Sequence, residues 1–311
     1  MVLHIFIRSF PMEFTVIFDT YPAGLNIVIF VKVLEWRKNF FLIVKPNEAE
    51  EPMSKFEKTK DIVELLDISE GDVVLVGSDI TRLAVEALRN GEKFEVHTFI
   101  DGLINKVGGN GTLLFPTFNW DFCKGGTFDY HHTVSKTGAL TNAALKRKDF
   151  VRTRHPIYSF AVWGRDKNKL YQMNNISSFG SDSPFAYLHK KKAKMLIIGL
   201  SYQHSFTFVH YVEEMEKVTY RFMKPFSGLY IDENGRGSVR TYTMYVRDLD
   251  KSVVTRINPI GEELEKRNIS KCKTINGVSF CFIHLFEAYE VIREDIIHNG
   301  AGKLFSIDHQ S

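Results

Sequence analysis

The sequence predicts an α/β fold in which buried strands lead into helices across short polar turns. Three apolar runs carry that expectation. Asp72-Val73-Val74-Leu75-Val76 is continuous, as a strand covered on both faces is, and Gly77-Ser78-Asp79 then opens a helical stretch through Leu88. Thr112-Leu113-Leu114-Phe115 follows the turn Gly108-Gly109-Asn110-Gly111 and ends in Pro116-Thr117. Met195-Leu196-Ile197-Ile198 leads through a polar turn into a helix over residues 207–214. In open α/β sheets ligands bind beyond the carboxyl ends of the strands, so the residues just after these runs are where chemistry is expected.

The 311 residues can bury a large core in one domain or two subdomains. Content of 44% hydrophobic and 25% charged is that of a soluble globular chain. A net charge of +3, set by 40 basic and 37 acidic groups, does not point to a nucleic-acid partner. No apolar run is long enough to span a bilayer; the nearest, residues 25–34, is short and broken by Lys32. No signal peptide is evident at the start. Cys123, Cys272 and Cys281 are odd in number and well separated, so no disulfide framework is expected and a reducing cytoplasm fits best.

Residues 1–52 are rich in Phe, Ile and Val without clear helix or hairpin grammar, and end in Glu48-Ala49-Glu50-Glu51-Pro52. Met53 then opens an amphipathic helix with Ile62, Leu65 and Leu66 at i, i+3 and i+4. The expectation is that Met53 is the functional start, with a genuine extra strand pair over 1–52 as the alternative. The functional domain is then 53–311.

After the first strand, free backbone N–H groups at a helix start suit an anion, with Ser78 adding a hydroxyl; an N-cap role for Ser78 or Asp79 is the alternative. Residues 95–103 read as helix or strand. Thr117 puts a hydroxyl at the carboxyl end of the second strand. Residues 119–136 are aromatic and turn-rich, a substrate-facing loop in character. His131-His132 has no third ligand at useful spacing, so no metal site is expected. A helix follows over 138–148. Arg152, Arg154 and His155 precede Pro156 and a strand over 160–163, and are costly to bury unless something anionic or polar meets them. Ser183-Pro184 opens a short helix, and the lysines of 190–194 read as a solvated helix end. Short alternating strands flank a turn at 232–237, and residues 281–298 read as one amphipathic helix.

In the helix over 207–214, Thr207, His210 and Glu213 stand at i, i+3 and i+6. At 3.6 residues per turn each lies about 60° from the next, so the three share a face. A hydroxyl, an imidazole and a carboxylate so placed supply a base, a group to orient it and a neighbouring donor. Glu214, at i+4, rivals Glu213 as the partner. The plain alternative is a capped helix start with a surface His–Glu pair.

Six stretches in order, VVLVGSDI (73–80), GTLLFPTF (111–118), GAL (138–140), VRTRHPIYSFAVWG (151–164), FGSDSPFAYL (179–188) and LIIGLSYQHSFTFVHYVEE (196–214), resemble the aminoglycoside N3-acetyltransferase, or antibiotic acetyltransferase, family over roughly residues 54 to 300. The resemblance implies a three-layer α/β/α fold with a mixed central sheet. It implies acetyl-CoA as co-substrate, without a metal, and direct transfer to an amine. Its motif assigns activation of the amine to His210 and Glu213 and places Thr207 towards the thioester, with Ser78, Thr117 and Ser183 beside the pantetheine and phosphates. Where the family usually has His-Ser-Ser-Leu this chain has Gly77-Ser78-Asp79-Ile80, so the donor contacts differ. The chemistry fits: an alkyl ammonium must lose a proton before it attacks, and a histidine near pKa ~6.5, raised by an adjacent carboxylate, can take it.

Two rivals differ in class. Cys123 could be an acyl-accepting nucleophile with His155 or His210 as base, or the chain could bind a sugar or nucleotide without catalysis. Resistance enzymes of the family have acidic clefts for polycationic drugs. Here Arg152, Arg154 and the lysine run suggest an anionic acceptor held by Arg154 and His155, such as a nucleotide-linked amino sugar or a polysaccharide precursor. The acyl group is acetyl or larger. A drug-acetylating enzyme is the alternative. Coenzyme A and a small-molecule amine are the expected partners, with a homodimer left open.

Overall fold

The computed structural model describes residues 56–308 and, before them, the backbone of four strands. Those strands, β1 (Val2–Phe6), β2 (Met12–Tyr21), β3 (Gly24–Val33) and β4 (Asn39–Val44), make an antiparallel sheet in the order β1-β2-β3-β4. Tyr21 pairs with Gly24 across β2 and β3. Strands over residues 1–52 are the alternative left open from the sequence, and they pair here without a clear hairpin pattern in that sequence. The predicted start at Met53 lies outside the described residues.

The unit that begins at Phe56 is built on a mixed seven-stranded sheet. Its chain runs α1 (Thr59–Glu64), β5 (Val73–Ser78), α2 (Thr81–Arg89), α3 (Val96–Val107), β6 (Thr112–Pro116), β7 (Phe128–Asp129), α4 (Ala139–Leu145), β8 (Val151–Arg152), β9 (Phe160–Gly164), α5 (Lys167–Tyr171) and α6 (Pro184–Lys190). It continues through β10 (Lys194–Ile198), α7 (Tyr202–Ser205), α8 (Phe208–Met215), β11 (Arg221–Ile231), β12 (Gly237–Arg247), β13 (Val253–Thr255), α9 (Asn258–Lys266), β14 (Ser270–Ile275), β15 (Val278–His284), α10 (Leu285–His298) and β16 (Phe305–Ile307). The central order is β14-β15-β10-β5-β6-β9-β8. β10, β5 and β6 are parallel, whereas β15 and β9 run antiparallel beside them.

Strand alternation divides the core into two clusters, because successive side chains leave opposite faces of the sheet. Leu75, Leu114, Met195 and Ile197 join one cluster, while Val74, Val76, Leu113 and Leu196 join the other. Helices α1 to α4 pack on the second face through Ile62, Leu83, Phe99 and Leu140. Helices α5 to α10 cover the first through Leu170, Phe185, Tyr202, Phe208, Ile260 and Leu285. The result is helix, mixed sheet, helix: the predicted three layers.

Two sequence expectations change. Residues 281–284 are not helix; they end β15, where Cys281, Phe282 and Ile283 pair with Ile197, Leu196 and Met195 of β10. A short run apolar on every side suits a buried strand as well as a helix, and here the ladder decides. Residues 96–107 settle as helix, with Phe99, Ile100, Leu103 and Val107 on the buried face.

Candidate active site

A cavity of about 550 Å³ opens at the carboxyl ends of β5, β6 and β10, lined by Gly77, Ser78, Pro116, Gly138, Thr207 and His210 among others. That volume suits a small-molecule ligand. Local backbone rules shape its floor. Gly199 takes φ +65° as β10 leaves the sheet, and a Cβ there would stand 2.5 Å from the Asp79 carbonyl oxygen. Only glycine fits that turn. Ile80, not Ser78 or Asp79, takes the N-cap position of α2, and Asp79 Oδ1 accepts the Thr81 N–H at 2.9 Å just before the helix. Ser78 is thereby left free: it is 6% exposed, and its Oγ has no hydrogen-bond partner. A buried hydroxyl at a cavity wall with nothing to bond is a place for a ligand's polar atom.

His210 lies on α8, which begins after Thr207. Phe208, Val209, Tyr211 and Val212 bury the helix against the core. Thr207 takes the N-cap position yet makes no side-chain cap, so its hydroxyl is not spent on the helix. His210 Nδ1 is 2.7 Å from Glu213 Oε2, and Glu213 is fully buried. Three residues converge on that carboxylate. Besides His210, Arg221 Nε stands 2.7 Å from Oε2 as an ion pair, and the Tyr220 hydroxyl donates to Oε1 at 2.8 Å. A buried carboxylate is tolerable only when so matched.

The electrostatics follow. Burial opposes the charge of Glu213, but Arg221, His210 and Tyr220 outweigh it and hold the carboxyl below its usual range. Burial also lowers His210, and the Arg221 cation lowers it further; the Glu213 bond and charge offset only part. The expectation of a histidine raised by its carboxylate is therefore corrected. Arg221 cancels much of the anion that would have raised it. A carboxylate can only accept, so Nδ1 carries the proton facing Glu213 and Nε2 keeps its lone pair.

A second cavity, about 480 Å³, lies between this site and the β11–β12 hairpin, lined by Phe179, Arg221, Lys224, Phe226, Arg247 and Asp250 among others. His210 and Tyr158 line both cavities. One imidazole thus faces two separate spaces.

Glu214 is turned elsewhere, with the Ser177 hydroxyl 2.7 and 2.8 Å from its two oxygens. Thr117, expected beside the donor, is fully buried; its hydroxyl shares a 2.7 Å bond with Ser159 Oγ behind the wall made by Pro116 and Phe118. Ser183, expected there too, is fully buried as the N-cap of α6, accepting from Ala186 N–H. Arg154 and His155, expected to hold the acceptor, line neither cavity. Arg154 pairs with Glu233 at 2.5 Å and lies over the Tyr171 ring. His155 is 2% exposed, its Nδ1 accepts the N–H groups of Ile157 and Tyr158, and burial pushes its pKa down to about 3. Arg152 is also buried; the Tyr130 and Thr133 carbonyls and the Ser159 hydroxyl receive it. Of the lysine run, Lys191 pairs with Asp166 and Lys194 with Asp72.

Burial pushes the Cys123 thiol up to about 11, away from a nucleophilic thiolate, and Cys123 lines neither cavity. Cys272 and Cys281 face each other on β14 and β15 and form a disulfide. No disulfide framework was expected; one disulfide forms and Cys123 stays free, so the compartment inferred from cysteine usage loses its premise. The two are nine residues apart, and the hairpin makes them register partners. Among the described residues no group of three or more His, Cys, Asp or Glu side chains gathers as metal ligands do, and no helix is long and apolar enough to cross a membrane.

Sequence reasoning missed Tyr158, Tyr220 and Arg221. Arg221 opens a strand between two aromatics, Tyr220 and Phe222, but its burial against Glu213 is a tertiary fact that no local pattern marks.

The comparisons agree with this architecture. Residues 75–296 match the model of the aminoglycoside 3-N-acetyltransferase family. Over 180 residues the chain is 24% identical to the SPbeta prophage-derived aminoglycoside N(3')-acetyltransferase-like protein YokD of Bacillus subtilis (strain 168), a match covering 50% of this chain and 64% of that protein. The crystal structure of YokD superposes with a TM-score of 0.65 at 20% identity, over 80% of this chain and 97% of that one. AAC-IIIb, solved as a binary with CoASH, gives 0.63 at 15% over 76% and 95%. Sisomicin-bound AAC-VIa gives 0.65 at 19% over 78% and 98%. The chain belongs to the aminoglycoside 3-N-acetyltransferase family.

Proposed function

We propose that this protein is a CoA-dependent N-acyltransferase that moves an acetyl or larger acyl group from the thioester directly to an amine of an aminoglycoside or amino sugar. The observation that carries the reading is His210, the imidazole that lines both cavities. The cavity at the strand ends takes the thioester, with the unpartnered Ser78 hydroxyl and Thr207 at its wall. The other cavity takes the amine. Relatives point the same way, one being solved with CoASH and another with sisomicin.

The residues then have definite work. Glu213, fixed by Arg221 and Tyr220, holds the Nδ1–H tautomer of His210 and steadies the cation that forms. Nε2 accepts the proton of the amine as its nitrogen bonds to the thioester carbon. The carbon–sulfur bond breaks, and the imidazolium returns the proton to the leaving thiolate. A lowered pKa keeps His210 unprotonated at neutral pH, in the form a general base needs.

The preference for a nucleotide-linked or polysaccharide-precursor amino sugar rested on Arg152, Arg154 and the lysine run. Arg152, Arg154, Lys191 and Lys194 hold the fold together instead, so charge at the acceptor cavity itself must decide between that class and a polycationic drug. The test is appearance of free CoA thiol from acetyl-CoA when an amino sugar or an aminoglycoside is added. A protein that binds both but releases no CoA with any amine is the non-catalytic binder, and the reading fails.

A further inference from the structure

We propose that the second cavity selects an acceptor carrying an anionic group, a sugar phosphate or carboxylate beside the reactive amine, and that Lys224 and Arg247 read that group. This rests on the N-acyltransferase reading and names the substrate class of its acceptor side.

The charge in the cavity is the first argument. Its charged lining is Arg221, Lys224, Arg247 and Asp250. Arg221 is spent on the buried Glu213. Lys224 and Arg247 are exposed and make no ion pair among the described residues, leaving two cations against the single carboxylate of Asp250. An aminoglycoside, several ammonium groups on one scaffold, would meet like charge there. An amino sugar with a phosphate would meet its complement.

Strand register is the second argument. Arg221 and Arg247 are direct cross-strand partners on β11 and β12, and like charges so placed repel. Glu213 answers the charge of Arg221. Nothing among the described residues answers Arg247, so the hairpin holds an uncompensated guanidinium at the rim of the site. Arginine offers a planar two-pronged donor suited to phosphate or carboxylate, and Lys224 adds a mobile point charge.

Apolar surface completes the cavity. Phe179, Phe226 and Met244 line it, a wall for a sugar's carbon face rather than for a chain of ammonium groups. The amine end is then delivered to His210, and the anion stays at the hairpin.

The experiment measures CoA release with three acceptors: glucosamine 6-phosphate, glucosamine and kanamycin. The expected result is a kcat/KM for the phosphorylated sugar at least about tenfold above the other two, what one charge-assisted contact supplies. That advantage should shrink in added salt and collapse in the Lys224→Met, Arg247→Met double variant, through KM rather than kcat. Both side chains are exposed, and a thermal melt checks that the variant is folded. The Lys224→Glu, Arg247→Glu variant should turn the preference towards kanamycin. Transfer that is indifferent to the phosphate, or best on kanamycin in the unaltered protein, overturns this inference while leaving the acyltransferase reading intact. Absence of CoA release with all three amines overturns both.

Discussion

Arg221 and His210 are held against one oxygen of Glu213, each at 2.7 Å. The buried carboxylate therefore divides its field between a permanent cation and a titrating ring. Burial lowers His210, the Arg221 cation lowers it further, and the shared carboxylate offsets only part, so the ring sits below the ordinary histidine value although an acid touches it. The sign for activity is direct. The base must be neutral, so a lowered pKa extends activity to lower pH, and the acid limb of the kcat/KM profile should fall below pH ~6.5. Arg221→Met should move that limb upward, because a like charge beside the imidazolium has gone. A limb that stays put or moves down shows that Arg221 does not tune the ring.

Removing the base or its partner should separate chemistry from binding. His210→Ala should lower kcat by about 10²–10⁴ while acetyl-CoA still binds, because Ser78 and the strand ends remain. Glu213→Gln should do two things at once. It loses the anion that stabilises the imidazolium, and it leaves Arg221 buried at 6% side-chain exposure without a counter-charge. Breaking a buried pair on one side costs about 3–5 kcal/mol, so the melt should fall as well as the rate. Near-normal kcat in His210→Ala, read by CoA release, would remove His210 from the mechanism.

How far the sequence could be read follows from range. Strands β5, β6 and β10 were visible because each is a continuous apolar run closed by a turn. The pairing of His210 with Glu213 was visible because both sit on one short helix and periodicity is local. Glu214 remained a rival, since one helix cannot say that Ser177, 37 residues upstream, will occupy it. Arg221 and Tyr220 come from a strand beyond the helix, and nothing in spacing brings them to Glu213. Arg154 and His155 misled for the same reason. For Arg154 the partner, Glu233 from the hairpin turn, is tertiary; for His155 the two N–H groups are local, and it is the burial of the ring by the rest of the fold that spacing does not show. Thr117 and Ser183 were placed by motif alone, and burial decides whether a hydroxyl faces a ligand or the core.

That distinction can be measured among the serines and threonine. Ser78→Ala removes an unpartnered hydroxyl from the donor cavity and should raise the KM for acetyl-CoA several-fold while the melt hardly moves. Ser183→Ala removes a helix cap and should cost about 1 kcal/mol of stability with KM unchanged. Thr117→Val breaks the bond to Ser159 and should likewise lower the melt without touching donor affinity. If Ser183→Ala or Thr117→Val raises the KM for acetyl-CoA while the fold holds, the donor lies against them after all.

His155 gives the protein an acid limit distinct from activity. Burial pushes its pKa down to about 3 rather than ~6.5, and the neutral ring accepts two backbone N–H groups at Nδ1 in the turn after Pro156. In the folded state the ring refuses a proton that the unfolded chain accepts. Its contribution is therefore fully present above pH ~6.5 and is lost as pH falls from there towards 3, at up to about 1.4 kcal/mol per pH unit. His210, also lowered, adds to the slope as pH falls below ~6.5, and Glu213 adds from the ordinary carboxyl range downward until its own depressed pKa is passed. Urea midpoints at pH 5, 6, 7 and 8 should show the loss, and His155→Gln should flatten much of it between 5 and 6 at the expense of lower stability at pH 8. A variant whose slope matches the parent would mean that His155 takes its proton without leaving the fold, and that burial does not hold the ring neutral.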